Sequence, residues 1–209
     1  MLKQFVSIIF LILPLVATAE DFVAGKDYEL LNPSAESNKT HTQVSVTEFF
    51  SYGCHWCYQI DPALETWVKQ KSNTISFTKV PVVFNEDWLF FAKAYYTAQR
   101  LGLEAKLNPL LFKEIQGKEK HGLNTNKGMI DFFASQGVDP LTAKSAFENS
   151  TTIDMEVKHG MAKMSEFQIK GVPAIIINDQ FKTDLQMAKT EDRFLKILDF
   201  LVAKANKTA

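Results

Sequence analysis

Cysteine is almost absent from this chain. Its 209 residues hold two, Cys54 and Cys57, and both lie in one stretch, Glu48-Phe49-Phe50-Ser51-Tyr52-Gly53-Cys54-His55-Trp56-Cys57-Tyr58. A zinc site built on that pair would need two further ligands, and no cysteine is left to supply them. Histidine is scarce too: His41, His55, His121 and His159 are scattered and not paired at ligand spacing. Haem attachment would need histidine directly after the second cysteine, where the chain has Tyr58. An excess of charge of one sign is also missing, with 23 basic against 24 acidic side chains and a net charge of -1. That balance carries no electrostatic footprint for nucleic acid. Nor is there a run of ~20 apolar residues to cross a bilayer; the longest uncharged run, Gln4 to Ala19, has 16.

The cysteine stretch itself has a direct chemical reading. An apolar, β-prone run (Val44, Val46, Phe49, Phe50) leads into it, and a helical pattern follows (Ile60, Leu64, Trp67, Val68). A Cys-x-x-Cys at the start of a helix meets unpaired backbone N–H groups and partial positive charge, which stabilise a thiolate on the first cysteine. Two intervening residues let the second cysteine reach back and close a disulfide. The pair therefore reads as a redox centre. A purely structural cross-link is the alternative, but one spanning two residues closes almost no loop and constrains the unfolded chain little.

The first 19 residues have the form of a secretory signal. Lys3 gives the charged start, Phe5 to Val16 the apolar centre, and Ala17-Thr18-Ala19 a small-residue cleavage site before Glu20. Its removal leaves 190 residues with 22 basic and 24 acidic side chains, a net charge near -2. Export to an oxidising compartment is expected, where a Cys-x-x-Cys disulfide persists. The 17 phenylalanines predict an aromatic core with room for one exposed aromatic patch.

In chain order, residues 20 to 43 carry turn signals (Gly25, Asn32-Pro33-Ser34, Ser37-Asn38) and at most one short strand. Val44 to Phe50 reads as a buried strand whose Val44, Val46, Glu48 and Phe50 share a face. An ionised Glu48 on that apolar face costs several kcal/mol unless paired. Pro62 interrupts the helical pattern that follows, and a kink is expected near Gln59 to Asp61. In the next strand, Ile75 to Val82, Lys79 shares a face with Ile75 and Phe77, so it either pairs with Glu48 or snorkels to solvent. From residue 86 to 168 helical patterns follow one another around Trp88-Phe91-Tyr95, Leu107-Leu111, Met129-Phe133, Leu141-Phe147 and Met155-Met161-Met164, with packing as the role of the aromatic and Met positions. Strands return at Gly171 to Asn178 and Phe181 to Thr183 around an Asn178-Asp179-Gln180 turn, and a last helix starts from a Thr190 cap. Pro173 at the head of a strand marks an edge, or else a cis-proline beside the sulfurs.

With Glu48-Phe49-Phe50-Ser51, Cys57-Tyr58-Gln59 and Val172-Pro173-Ala174 in view, the chain resembles the DsbA-type thiol–disulfide oxidoreductases of the thioredoxin superfamily. The resemblance covers essentially all of the mature chain. It implies an α/β protein: a thioredoxin fold in two parts, 20–85 and 169–209, with an all-helical domain, 86–168, inserted between them. It also implies that Glu48 is the buried acid beneath the disulfide and Lys79 its partner. Asp61 is the further acidic residue on the active-site helix, and Pro173 is the cis-proline facing the disulfide, with Val172 before it to pair with substrate backbone. The family's usual dipeptide between the cysteines is Pro-His, whereas here it is His55-Trp56. A backbone N–H replaces the proline ring, and histidine leaves the second position. These act on the Cys54 thiolate in opposite directions and leave the reaction type unchanged. Trp56 is either an exposed aromatic or a contact for substrate side chains.

The activity so implied is that of a periplasmic enzyme that introduces disulfides into newly exported proteins carrying free cysteines. Its redox group is the Cys54–Cys57 disulfide, with no other cofactor and no metal. A quinone-linked membrane partner would reoxidise it, and a monomer is expected. A disulfide isomerase or reductase is the rival enzyme, though it usually relies on a dimerisation domain that residues 20 to 43 are too few to form. A secreted chaperone-like binding module is the reading without catalysis.

Overall fold

Val44–Phe50 (β2) is an interior strand and the frame of the molecule, which a computed structural model describes over residues 21–31, 43–117 and 122–208. The expected signal segment at 1–19 and the turn signals at Asn32-Pro33-Ser34 and Ser37-Asn38 lie outside those residues. On one side β2 pairs in parallel with Ile75–Pro81 (β3), and on the other antiparallel with Ala174–Ile177 (β4). Phe181–Asp184 (β5) and the two-residue Glu29–Leu30 (β1) complete a five-stranded sheet in the order β1-β5-β4-β2-β3. The β4–β5 turn passes through Asn178 and Asp179 with φ of 48° and 55°, left-handed values that these short polar side chains tolerate. Asn178 Oδ1 also accepts the Ser45 N–H (2.9 Å), which ties the turn to β2.

The two-residue period of the strands divides the core into two faces. Val44, Val46, Ile175 and Ile177 face His55–Lys71 (α1) and the long C-terminal helix Glu191–Thr208. Phe49, Val80, Ala174 and Ile176 face the other way, against Met164, Phe167 and Ile169. Between β3 and β4 the described residues form five helices: Glu86–Arg100 (α2), Glu104–Gln116 (α3), Asn126–Ser135 (α4), Pro140–Asn149 (α5) and Thr151–Glu166 (α6). They enclose a second, aromatic core around Phe91, Tyr95, Phe112, Phe133 and Phe147, which reaches Phe50, Tyr52 and both cysteines. Side chains cap most of these helices: Asn85 on α2, Thr125 on α4, Asp139 with Pro140 on α5, and Ser150 on α6. The order is a thioredoxin-type sheet with a helical block entering after β3.

Three local expectations need correction. Helix α1 runs through Pro62 without interruption; a proline in the helix interior leaves one carbonyl unpaired, and here that cost is carried by a helix packed along its length through Ile60, Leu64 and Trp67. Met155 and Met161 are exposed because α6 turns Ile153, Val157 and Gly160 inward instead, and Leu141 is exposed because α5 buries Ala143 and Phe147. Gly160 permits this approach, since a Cβ there would meet the Tyr96 hydroxyl at 2.9 Å. A short helix, Leu185–Ala188 (α7), also follows β5 under an Asp184 cap and precedes the C-terminal helix (α8). It has no periodicity long enough to signal it. The Thr190 cap does form, with its Oγ1 accepting the Arg193 N–H at 3.3 Å.

Candidate active site

The C-terminal end of β2 delivers the chain through Ser51, Tyr52 and Gly53 to Cys54, the N-cap of α1. In that position the sulfur stands where a cap oxygen would, and the Cys57 N–H donates to Cys54 Sγ at 3.1 Å. The helix therefore offers its orphan N–H groups to sulfur, so sequence and geometry agree on the local origin of reactivity. Both cysteines are thiols in this structure. Cys54 is 7 % exposed and Cys57 fully enclosed, so a substrate sulfur can approach only the first.

The pair is electrostatically unequal. A hydrogen bond from the Cys57 thiol, joined by the backbone N–H groups of Cys57 and Trp56, holds Cys54 below its ordinary 9.0 against the opposing effect of burial. Burial, then the neighbouring Cys54 and the charge of Glu48, push Cys57 well above that value. Cys54 is thus the sulfur whose thiolate is favoured and the better leaving group, and Cys57 the one that holds its proton more tightly.

Beneath them, Glu48 on β2 stands directly across the ladder from Lys79 on β3. The ammonium is 3.5 Å from Glu48 Oε2 and closer to two carboxylates of α1, Asp61 at 2.7 Å and Glu65 at 2.8 Å. Neither Glu48 oxygen has a hydrogen-bond partner, and the side chain is wholly buried. Burial raises the Glu48 carboxyl from 4.5 to about 7, with Lys79 opposing the rise and Asp61 and Glu65 adding to it. Burial works against the Lys79 charge, but the three carboxylates more than offset it and hold Lys79 well above 10.5. Lys79 therefore does not snorkel to solvent; it is the centre of a buried charge cluster.

The Val172–Pro173 peptide is cis, and the Val172 carbonyl accepts a hydrogen bond from Cys54 Sγ at 3.3 Å. While Cys54 is a thiol, the Val172 carbonyl expected to pair with substrate backbone is therefore already taken. Beside this contact runs a groove of about 630 Å³ between Trp56, Gln59 and Ile60 on one side and Val172, Pro173 and Leu185 on the other. Trp56 is 65 % exposed at its rim, and its ring meets His55 edge-on.

Sequence reasoning missed four residues that shape this site. Glu65 follows Asp61 by one helical turn, and that spacing could have signalled it. Gly53 carries no side chain because the Trp88 indole lies where its Cβ would be. Asn108 accepts a hydrogen bond from the Tyr52 hydroxyl, and Gln116 Nε2 donates to the Tyr52 carbonyl at 2.7 Å. All three partners lie in the helical block, and no local pattern connects them to the cysteines.

The chain is similar in sequence and fold to known proteins. A thioredoxin family model, described as Thioredoxin, matches residues 39–199. The thiol:disulfide interchange protein DsbA of Burkholderia cepacia is 35% identical over 179 residues, which span 86% of this chain and 84% of that protein. The DsbA of Pseudomonas aeruginosa is 30% identical over 196 residues, spanning 93% and 91%. Its crystal structure superposes with a TM-score of 0.81 at 28% identity, covering 90% of this chain and 96% of that one. The crystal structure of the oxidoreductase DsbA from Xylella fastidiosa gives a TM-score of 0.78 at 26% identity, covering 90% and 98%.

Proposed function

Because the chain belongs to the thioredoxin family, among its DsbA-type thiol:disulfide interchange proteins, we propose that it introduces disulfide bonds into newly exported proteins through Cys54 and Cys57. The observation that carries this reading is the asymmetry of the two sulfurs, with Cys54 capping a helix and Cys57 buried beside it. In the oxidised enzyme a substrate thiolate attacks Cys54 Sγ. The Cys54–Cys57 bond breaks, a mixed disulfide forms on Cys54, and Cys57 leaves with the electron pair. Glu48 supplies the proton that Cys57 then holds, its raised value keeping it protonated up to about pH 7. A second substrate thiolate attacks the substrate's own sulfur in the mixed disulfide, and Cys54 departs as the thiolate that the Cys57 and Trp56 N–H groups stabilise. The substrate dithiol loses two electrons and two protons: one proton replaces the one that Glu48 gave to Cys57, and the other stays in solvent while Cys54 is a thiolate beside the Cys57 thiol.

Lys79 and Asp61 hold the charge balance of Glu48, while Trp56, Val172 and Pro173 line the groove that takes the chain flanking the substrate cysteine. His55 flanks Cys54 at the solvent side. Residues 86–168 act as an inserted domain that covers one side of the site. Each turnover needs a two-electron acceptor, for which a quinone-linked membrane partner suits an exported enzyme. Residues 1–19 direct that export, with the periplasm as destination. No cofactor beyond the cysteine pair is called for, and the enzyme acts as a monomer.

The test mixes the oxidised enzyme with an equimolar reduced, unfolded protein carrying several cysteines. Stoichiometric transfer of the disulfide to the substrate is expected, together with a Cys54 thiolate absorbance titrating well below ~8.5. An enzyme that stays oxidised, or a Cys54 that titrates at the ordinary thiol value, would favour the reductase or isomerase reading. Retention of full activity by Cys54→Ser would favour the binding module.

A further inference from the structure

The buried cation is shared unequally, and the sharing depends on a residue at the surface. Lys79 contacts three carboxylates, two from α1 at 2.7 and 2.8 Å and one from β2 at 3.5 Å. The side chains of Lys79 and Glu48 are 3% and 1% exposed, that of Asp61 12%, and that of Glu65 37%. Glu65 alone among the three acids keeps substantial contact with water, so its negative charge is the cheapest to maintain. Asp61 and Glu65 stand one turn apart on the same helix and draw the ammonium toward α1. Glu48 is left across the ladder with no hydrogen bond to either oxygen.

We propose that Glu65 is a positioning residue: by sharing Lys79 with Asp61 it holds the ammonium off Glu48, and so sets how readily Glu48 releases its proton beneath the cysteines. Two effects act in the same direction. Glu65 contributes a negative charge that opposes ionisation of Glu48, and it engages the one cation that would favour ionisation. The groups facing this cluster are Lys79 from β3, Asp61 and Glu65 from α1, and Cys54 and Cys57 from the N-terminal end of α1. From β4 the ladder neighbour of Glu48 is Ile175, which carries no charge. Around Lys79 stand the phenols of Tyr52 and Tyr95, both held neutral by burial. Glu65 therefore links the solvent-exposed face of α1 to a carboxyl that water does not reach. The inference rests on the assignment of Glu48 as the proton donor to Cys57 only for its consequence in catalysis, not for the charge coupling itself.

The coupling is measured on the reduced protein with carboxyl-labelled glutamate, following Glu48 by NMR across pH, its resonance assigned by its loss in Glu48→Gln. In Glu65→Gln the Glu48 midpoint should fall by about half a pH unit or more, the size of one removed charge at a few ångströms in a protein dielectric. Glu65→Asp, which retains the charge, should leave the midpoint nearer that of the parent. An unmoved midpoint in Glu65→Gln overturns the proposal, and so does an equal shift in Glu65→Asp. A midpoint that moves while the rate of mixed-disulfide resolution keeps its pH profile upholds Glu65 as a positioning residue and removes Glu48 from the proton transfer.

Discussion

Replacing Glu48 by glutamine should make the reduced protein more stable at alkaline pH and leave it unchanged at acid pH. The folded state raises the carboxyl from 4.5 to about 7. A folded-state value above the unfolded one means that the native protein binds the proton more tightly. The associated stability is complete below pH 4.5 and is lost as pH rises through about 7. The span of 7 - 4.5 = 2.5 units corresponds to about 3.4 kcal/mol at 1.36 kcal/mol per unit. Proton linkage places about 0.8 kcal/mol of that loss below pH 5 and nearly all the rest below pH 8. Glutamine keeps the shape but never ionises, and Lys79 retains Asp61 and Glu65 as partners. The variant should therefore gain about 2.5 kcal/mol on the parent between pH 5 and pH 8. Urea unfolding of both proteins, kept reduced and compared at matched pH, measures this gap, because titrations common to both cancel in the difference. A gap that stays flat from pH 5 to 8 would refute the reasoning.

Other consequences follow from the same geometry. At neutral pH an alkylating reagent should label Cys54 well before Cys57, which should react only on unfolding; equal rates would contradict the asymmetry of burial and charge. Since Cys54 titrates below its ordinary value when folded, its thiolate stabilises the reduced protein at alkaline pH, and that stability is lost as pH falls through the folded value. Gly53→Ala forces a Cβ into the Trp88 indole and should cost about 1–3 kcal/mol in thermal unfolding, with a changed Trp fluorescence. Tyr52→Phe leaves the buried Asn108 Oδ1 without its donor and should cost about 1–3 kcal/mol; a loss below ~0.5 kcal/mol would mean that Asn108 finds another partner.

Much of this could be read from the sequence because it is local. β2 and its parity come from alternating apolar residues, and the helix start at Cys54 comes from the change of period after it. The charges at Glu48 and Lys79 stood out because each breaks an apolar face, and the ladder places them opposite each other. What escaped was set by packing at a distance. Met155 and Met161 have the spacing of a core stripe, but α6 rotates to bring Gly160 against Tyr96 and leaves them in solvent. The continuity of α1 through Pro62 was hidden for a similar reason, because propensity counts the missing N–H but not the packing of Ile60, Leu64 and Trp67. Glu65 looked like an ordinary exposed helix residue until the position of Lys79 was known.

The helical block does more than cover the cysteines. Cys54 works as an N-cap only while its backbone stays extended, at φ -91° and ψ 114°, and the three preceding residues determine that conformation. Ser51 accepts the Cys54 N–H through its carbonyl and the Gly53 N–H through its hydroxyl, closing the loop locally. The remaining restraints come from the insertion. Gln116 of α3 holds the Tyr52 carbonyl, Asn108 of α3 holds the Tyr52 hydroxyl, and Trp88 of α2 lies flush against Gly53. Tyr52 itself packs edge-on against Phe50 and Phe112, which joins the strand end to the core of the block. A thioredoxin-type sheet alone would leave this approach to the sulfur facing water. Here two helices inserted after β3 fix the entry to α1, so the N–H groups that stabilise the Cys54 thiolate are already aimed before any substrate arrives.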